Sequence, residues 1–144
     1  MTDIPDFNIR IATVEDVDTI MSLEEMCMPH PWVRDEIESL VSSENKMALV
    51  IGDCGYVGVS WVLDEAEIGN ICVRADMRRM GFARALLLKL IDELKKLNMA
   101  QLFLEVDETN EGAIKLYEGI GFECYSRRKG YYGKTDALLY RFVF

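Results

Sequence analysis

One amphipathic segment, residues 81–97, sets the strongest limit on what this chain can fold into. Its apolar positions recur at steps of four and three, which predicts a helix with one buried face. They are Ala83, Leu87, Leu90, Leu94 and Leu97. Apolar segments at 68–73 and 101–106 lie on either side of it and are predicted as strands. The order strand, helix, strand implies some parallel pairing within a mixed sheet.

The rest of the chain supplies further strands and helices. Apolar runs predict strands at 7–11, 47–51 and 56–63, and a final hairpin formed by 122–126 and 137–144. Segments 52–55 and 64–67 are interpreted as hairpin turns. Helices are predicted from a Thr13 capping box to Pro29, from about Trp32, and from Asn110 to Gly119. The order predicts an α/β fold (α+β by stricter labels), with a mostly antiparallel sheet of about seven strands flanked by about four helices.

Length and composition predict one globular domain over residues 1–144, since half of the residues are hydrophobic and 28% are charged. No apolar run approaches the ~18 residues of a membrane span, and the acidic, polar start does not resemble a signal peptide. The four cysteines are scattered without a CxxC pair and there is one histidine, so no metal site is expected. Free thiols favour a reducing compartment, and we expect a cytoplasmic protein without a membrane partner.

The net charge of −9 is concentrated at the start of the chain. Residues 1–45 contain eleven acids against Arg10 and Arg34, whereas the remaining 99 residues are neutral overall with fourteen acids and fourteen bases. An acidic first third argues against binding of nucleic acid through its phosphates and suits a basic partner. A solvated helical face explains the charge equally well.

An arginine-rich loop precedes the long helix, in the run Val73-Arg74-Ala75-Asp76-Met77-Arg78-Arg79-Met80-Gly81-Phe82-Ala83-Arg84. A loop of this kind turns backbone N–H groups toward an anion, and the helix N-terminus adds its dipole and unpaired donors. Gly81 permits a positive φ, Ala83 leaves room for a phosphate, and the arginines neutralise its charge. The alternative is a solvated basic turn that caps a core helix.

Six stretches together resemble the GNAT acetyltransferase superfamily. Arg78-Arg79-Met80-Gly81-Phe82-Ala83 is similar to its coenzyme A pyrophosphate loop, and residues 104–122 to the "LEV…N…A…LYE…GF" signature of its protein N-terminal acetyltransferases. Residues 127–132 with Asp136-Ala137, and upstream Pro31-Trp32 with residues 62–71, resemble the ribosomal-protein-alanine acetyltransferase (RimI-type) family. The resemblance therefore spans nearly the whole chain, in the family's order and spacing.

The resemblance implies acetyl-CoA as co-substrate, no metal, and a role for particular residues. Glu105 matches the general base and Tyr117 the general acid, while Trp32, Glu105 and Tyr131 would contact the acceptor. The expected coenzyme-binding residues are Ile71, Cys72, Val73, Arg78, Arg79, Met80, Gly81, Phe82, Ala83, Arg84, Asn110 and Tyr117. Two positions depart from the family pattern: Ala75 stands where Pro is frequent, and Ala83 replaces the final Gly.

The chemistry supports these roles, although each residue has an ordinary structural alternative. An α-amine of pKa ~7.7–8.0 loses its proton readily to a carboxylate, positioned N–H groups stabilise the oxyanion, and a phenol protonates the departing thiolate. Glu105 at a strand end is equally a solvated or paired acid. Asn110 is a good helix N-cap, and Tyr117 has the spacing of a packed core residue.

The function expected from the resemblance is transfer of an acetyl group to the N-terminal α-amine of a protein, an Ala or Ser on a basic polypeptide such as a ribosomal protein. A small-amine acetyltransferase for a polyamine, amino acid or aminoglycoside is the alternative with the same chemistry. A non-catalytic acyl-CoA sensor is a further alternative, against which the presence of both Glu105 and Tyr117 argues. Nucleic-acid binding by Arg78-Arg79 and Arg127-Arg128-Lys129 is disfavoured by the net acidity.

Overall fold

A computed structural model describes residues 8–144, and it contains the predicted order of elements. The strands are β1 Ile9–Ile11, β2 Lys46–Ile51, β3 Gly55–Val62, β4 Glu65–Val73, β5 Gln101–Asp107, β6 Glu123–Arg128 and β7 Ala137–Val143. The helices are α1 Val17–Cys27, α2 Arg34–Ser42, α3 Phe82–Lys96 and α4 Glu111–Ile120, with short 3-10 turns at Val14–Asp16 and Ala75–Met77. Phe7, predicted in the first strand, lies outside the described residues.

The described strands form one sheet in the order β1-β2-β3-β4-β5-β7-β6. Every neighbouring pair is antiparallel except β4 and β5, which are parallel because α3 connects them. The predicted mixed, mostly antiparallel sheet of seven strands and four flanking helices is confirmed. All six residues of β6, the last strand in this order, are exposed, and a bulge interrupts its pairing with β7 between Cys124 and Ser126.

The β4–β5 pair is joined over a short length. Its register covers three residue pairs, from Glu65 opposite Gln101 to Glu67 opposite Phe103. On the other side of β4, Gly58 of β3 is opposite Asn70 while the next β3 residue is opposite Ile68, so Gly69 forms a bulge. Beyond Glu67 the two described strands separate, and a gap opens in the middle of the sheet.

Two hydrophobic layers cover the sheet. On one face, α3 buries Leu86, Leu87, Leu90 and Leu94, each 0% exposed, against side chains of β2 to β5 and β7. On the other face, α1 and α2 pack over β2 to β4 through residues of a second core. Those residues include Ile20, Leu23, Ile37, Leu40, Val50 and Tyr56. Of the predicted stripe, Leu87, Leu90 and Leu94 lie on the buried face of α3. The prediction was wrong for Leu97, which follows the helix and is 45% exposed, and Ala83 is part-buried and lines a cavity.

The predicted turn at 64–67 is wrong. The chain reverses at Leu63 and Asp64, where Leu63 adopts a φ of +56°, and β4 begins at Glu65. Ala66 is buried against the core while Glu65 and Glu67 point to the other face, which is the period-two alternation of a strand. The two acids gave this stretch the composition of a loop and concealed that alternation.

Other boundaries moved by a few residues. The second helix begins at Arg34 rather than near Trp32, because Val33 is its N-cap and the Val33 N–H donates to the Glu36 carboxylate. The predicted Thr13 capping box is confirmed, since the Asp16 carboxylate accepts the Thr13 N–H at 2.8 Å. Asp16 also pairs with Arg10, and hydrogen bonds from Arg10 hold the pKa of Asp16 below its usual range.

Leu90→Ala should lower the free energy of unfolding by about 2–5 kcal/mol, because truncating a fully buried side chain leaves a cavity between α3 and the sheet. Urea denaturation monitored by circular dichroism measures this loss. Leu97→Ala is the control, since Leu97 follows the same helix and is 45% exposed. Equal losses for the two variants would contradict the assignment of the buried face.

Candidate functional site

A cavity of about 410 Å³ lies where α1 ends, α3 begins and α4 faces β4. It brings together seven of the twelve predicted coenzyme-binding residues: Ile71, Cys72, Val73, Arg78, Ala83, Asn110 and Tyr117. These residues are separated by up to 46 positions in the sequence, and the gap between β4 and β5 is what allows α4 to approach β4. The cavity therefore combines β4 and α3, which the arginine-rich loop connects, with the end of α1 and the first turns of α4.

The loop before α3 presents backbone donors. Arg79 has a φ of +64° and Gly81 a φ of +85°, so the chain twice enters the left-handed region immediately before the helix. Within residues 8–144, the N–H groups of Arg79, Met80 and Gly81 donate to no carbonyl or side chain. The first N–H groups of a helix also lack partners inside it. Unpaired backbone donors next to a helix N-terminus are an arrangement that suits an anion, and the predicted pyrophosphate contact stays a prediction.

Arg78 closes one side of this loop. Its Nε donates to the carbonyl oxygen of Val73 at 3.2 Å, which anchors the loop to the end of β4. The remaining guanidinium nitrogens stay available next to the cavity that Arg78 lines. The side chains of Met80 and Arg84 are exposed, whereas the Phe82 side chain is 6% exposed in the core. The Phe82 ring therefore belongs to the core, and the role of Phe82 in coenzyme binding stays a prediction.

Tyr117 is a buried residue of α4 whose ring packs against Phe122 and whose edge lines the cavity. Burial, and secondarily the nearby Tyr132, raise the pKa of Tyr117 to about 12. Its hydroxyl makes no hydrogen bond to any of the residues that the structure describes. The phenol is thus protonated at neutral pH and available to a group inside the cavity.

Asn110 is the N-cap of α4. Its Oδ1 accepts the N–H of Ala113 at 3.2 Å, and this satisfies one of the unpaired donors of the first helical turn. Asn110 also lines the cavity, so capping and ligand contact use the same side chain. The capping alternative considered from the sequence is confirmed, and the role in coenzyme binding stays a prediction.

Glu105 lies on the opposite face of the sheet from Tyr117. Leu104 and Val106 point into the core beneath α3, so the side chain between them points to the other face. There it lines a second cavity of about 230 Å³ together with Glu65, Glu67 and Phe103. The structure does not bring the two predicted catalytic residues into one cavity, but Glu105 lies two residues beyond Phe103, where the β4–β5 pairing ends.

Arg128 is the partner of Glu105, with Nη1 and Oε1 separated by 3.4 Å. The sequence prediction treated Arg128 as part of a basic run, as it did Arg127, which pairs with Glu108 and Asp136. Arg128 of β6 reaches an acid on β5, and Arg127 pairs with acids in the connections after β5 and before β7. The charges of Arg127 and Arg128 are therefore compensated, which weakens one of the two basic runs considered for nucleic acid.

Two aromatic residues precede β7 and do not occupy strand positions. Tyr131 is 52% exposed, its ring stands edge-on to Tyr132, and the Arg128 guanidinium lies 5.5 Å from its centroid. Tyr132 lies near both predicted catalytic groups: Glu105 raises the pKa of Tyr132, after the larger effect of burial, and Tyr132 raises that of Tyr117. Sequence reasoning assigned Tyr132 no function.

Trp32 lies in the connection between α1 and α2 and packs on the bulge of β4. A Cβ atom placed on Gly69 would be 2.7 Å from Cη2 of the indole, so the ring and the glycine are in direct contact. Trp32 also borders a third cavity, of about 400 Å³, between α2 and β3. Its expected contact with an acceptor stays a prediction.

We call the cavity of about 410 Å³ between β4 and α4 the large cavity. Sequence reasoning missed five of its residues: Cys27, Met28, Gly112, Ala113 and Leu116. Gly112, Ala113 and Leu116 belong to the first turns of α4, and their spacing from Asn110 was the available signal. Cys27 and Met28 end α1, far away in sequence, and no local pattern connects them to β4. The Cys27 thiol lies 3.6 Å from the carbonyl oxygen of Val73, which is how α1 closes this wall.

Residues 17–122 match the model of a family described as "Acetyltransferase (GNAT) family". The chain belongs to the acetyltransferase (GNAT) family. The arginine-rich loop and the separated β4 and β5 therefore lie within the matched region of a GNAT domain. Among residues 8–144 there is no helix long and apolar enough to cross a membrane, and no group of three or more His, Cys, Asp or Glu placed to hold a metal ion.

Two relatives of this GNAT domain carry the same name. The [ribosomal protein bS18]-alanine N-acetyltransferase of Escherichia coli (strain K12) is 52% identical over 75 residues, which are 52% of this chain and 51% of that protein. This match thus spans about half the length of the relative. The Salmonella typhimurium protein of the same name is 31% identical over 144 residues, covering 91% of this chain and 93% of its own.

A solved structure agrees with these relatives. The crystal structure of the ribosomal-protein-S18-alanine N-acetyltransferase from Escherichia coli superposes with a TM-score of 0.82 at 33% identity, and covers 94% of this chain and 93% of that one. The GNAT fold expected from the sequence is confirmed over nearly the whole length.

Asn110→Ala should lower the free energy of unfolding by about 0.5–2 kcal/mol, because α4 loses its cap. Asn110→Ser should recover most of this loss, since a serine hydroxyl accepts the same N–H. Thermal and urea unfolding of the three proteins test the prediction. An alanine variant as stable as the parent would show that the cap contributes nothing to α4.

Proposed function

We propose that this protein transfers the acetyl group of acetyl-CoA to the N-terminal α-amine of a protein, with alanine or serine as the first residue and a ribosomal protein as the first candidate. The observation that carries this proposal is the similarity, over nine-tenths of the chain, to proteins named for acetylation of a ribosomal-protein alanine. The site geometry supports it independently, through the anion-binding loop and the groups around the strand gap.

The large cavity fits the coenzyme chemically. The pyrophosphate would lie against the N–H groups of Arg79, Met80 and Gly81, with the helix dipole of α3 and Arg78 compensating its charge. The pantetheine arm carries amide groups, and β4 offers unpaired backbone over Ile71–Val73 because β5 leaves it after Glu67. Asn110 would contact the coenzyme from α4.

When bound, acetyl-CoA supplies an acetyl thioester, and the products are an N-acetylated amine and a free thiol. The chain's own groups handle the protons and charge of this reaction. Glu105 takes a proton from the incoming ammonium group, a modest step for an amine of pKa ~7.7–8.0. Backbone N–H groups near Val73 stabilise the negative charge that develops on the carbonyl oxygen. Tyr117, whose pKa is raised to about 12, delivers a proton to the departing sulfur.

The positions of Glu105 and Tyr117 on opposite faces of the sheet suit their separate proton-transfer roles. The amine would approach from the side of Glu105, and the thioester would lie on the side of Tyr117, with the gap between β4 and β5 joining the two. Arg128 holds the Glu105 carboxylate from the acceptor side, and the arrival of a cationic ammonium would compete for that carboxylate. The Glu105 carboxylate and the Tyr117 phenol therefore need not lie in the same cavity.

Glu105→Gln and Tyr117→Phe should each lower kcat by about 10²–10⁴-fold, because each removes one proton-transfer group and leaves the side-chain volume almost unchanged. Release of the CoA thiol with an Ala-starting peptide measures the rates. Matched controls are Glu93→Gln, a part-buried acid of α3 that pairs with Lys89 and Lys96, and Tyr140→Phe, a buried tyrosine whose hydroxyl donates to Glu118. Equal losses in the controls would contradict the two assignments.

The acceptor side of the sheet is acidic. Asp35 and Glu36 border the cavity beneath α2, and Glu65 and Glu67 border the cavity of Glu105. Ser60, which borders the cavity beneath α2, is the cross-strand partner of Glu67, so the cavity beneath α2 and the cavity of Glu105 open on the same face. A basic polypeptide whose N-terminus reaches Glu105 would lie along carboxylates, which supports a cationic acceptor.

A panel of amines tests the acceptor. It contains Ala-, Ser- and Met-starting peptides with basic or neutral second residues, a lysine peptide with a blocked N-terminus, spermidine and an aminoglycoside. We expect turnover of the Ala and Ser peptides. The KM should be lower for peptides with basic second residues than for those with neutral ones, and this lower KM should rise as salt is added. Turnover of the small amines alone would move the function to a small-amine acetyltransferase. Binding of acetyl-CoA without any turnover would favour a sensor.

A cytoplasmic location accompanies this proposal. All four cysteines are free thiols, the state favoured in a reducing compartment. A ribosomal-protein acceptor would meet the enzyme in the same compartment.

A further inference from the structure

Glu24 is a completely buried acid of α1, with 0% relative exposure. Its carboxylate accepts hydrogen bonds from four donor groups. They are the Tyr56 hydroxyl at 2.6 Å, the Asn70 amide at 3.0 and 3.1 Å, the Cys72 thiol at 3.3 Å and the Trp32 backbone N–H at 2.9 Å. Through these bonds one side chain connects α1, the α1–α2 connection, β3 and β4.

The Tyr56 hydroxyl and the Cys72 thiol keep their protons and so remain hydrogen-bond donors to Glu24. Burial, and then the neighbouring Glu24 carboxylate, raise the pKa of both Tyr56 and Cys72. No cation contacts Glu24 in the described part of the chain, so hydrogen bonds alone compensate its removal from water. A buried acid that lacks hydrogen-bond donors strongly destabilises the fold. When one of these hydrogen bonds is lost, the residue that supplied the donor is held less firmly.

The bond to Trp32 differs from the others. Pro29 and Pro31 have no N–H group, and within residues 8–144 the connection 29–32 makes one hydrogen bond, from the Trp32 N–H to Glu24. Asn70 and Cys72 are held independently, because the backbone of β4 pairs with β3 at both positions. Glu24 is therefore decisive for the position of Trp32 and redundant for the position of β4.

The Trp32 ring in turn lies at the entrance to the strand gap. It rests on Gly69, which is two residues beyond the last β4–β5 pair at Glu67. This is the face on which Glu105 lies, and the same ring borders the cavity beneath α2. Movement of Trp32 would change the surface that an acceptor meets, while the large cavity on the other side keeps its β4 wall.

We propose that Glu24 is a positioning residue for the acceptor, which acts by fixing Trp32 on Gly69 at the entrance of the gap. This inference rests on the proposed function for its effect on the acceptor, but not for the position of the ring. Glu24→Gln keeps the shape of the side chain and replaces one acceptor oxygen by an NH₂ group that faces donors. The Trp32 N–H then loses its charged acceptor, which weakens the one hydrogen bond that anchors the connection 29–32.

The first measurement is the emission of Trp32, in protein that carries Trp61→Phe so that Trp32 is its one tryptophan. Glu24→Gln should shift the emission to longer wavelength without any ligand, because the ring leaves Gly69 and meets water. The matched control is Tyr56→Phe, which removes a different donor to Glu24 and leaves the Trp32 bond. The control should lose stability in urea and keep the parental emission.

The second measurement is the split between the two substrates. Glu24→Gln should raise the KM of an Ala-starting peptide about tenfold and leave the KM of acetyl-CoA within about twofold. Tyr56→Phe should leave both values near those of the parent. An unchanged emission, or an equal rise of both KM values, would overturn the proposal.

Gly69→Ala provides a second route if Glu24→Gln does not fold. The added Cβ displaces the ring and leaves Glu24 and its donors in place. It should reproduce the shift in emission and the rise in peptide KM, and a parental peptide KM would overturn the proposal. If the parent acetylates no peptide at all, the proposed function fails, and the emission of Glu24→Gln still decides whether Glu24 positions Trp32.

Discussion

The short pairing between β4 and β5 is the constraint on which the rest of the structure depends. Three residue pairs hold the two halves of the sheet together, and the remaining length of both strands is free to separate. The core beneath α3 stabilises the sheet in spite of this separation, because leucines of α3 pack against both strands where backbone hydrogen bonds do not join them. Both candidate functional cavities lie beside the resulting gap, on opposite faces.

The sequence was sufficient for the order of elements and for much of one cavity. Leucine spacing predicted α3, and the flanking apolar runs predicted parallel strands, because both signals are local and periodic. The loop before α3 was recognised by its arginines and Gly81, whose positive φ the structure contains. Resemblance to a family added Glu105, Asn110 and Tyr117, of which two line the same cavity.

What the sequence did not reveal depends on contacts between distant segments. The acids at 65–67 suggested a turn because composition outweighed a short alternation, although β3 and β5 both pair with this stretch. The assignment of Glu105 and Tyr117 to opposite faces follows from the strand's alternation against α3, which becomes visible once the sheet order is known. Glu24 looked like one of eleven surface acids, and its four donors come from residues 32, 56, 70 and 72.

The outermost strand β6 has a consequence for how the molecule behaves at high concentration. An edge strand offers unpaired backbone groups to which another chain can add, and this is a common route to aggregation. Here the edge carries Arg127 and Arg128, both paired with acids of the same molecule, and a bulge after Cys124 disturbs its regular spacing. The charged arginines and the bulge of β6 thus oppose the addition of a strand from another molecule at this edge of the sheet.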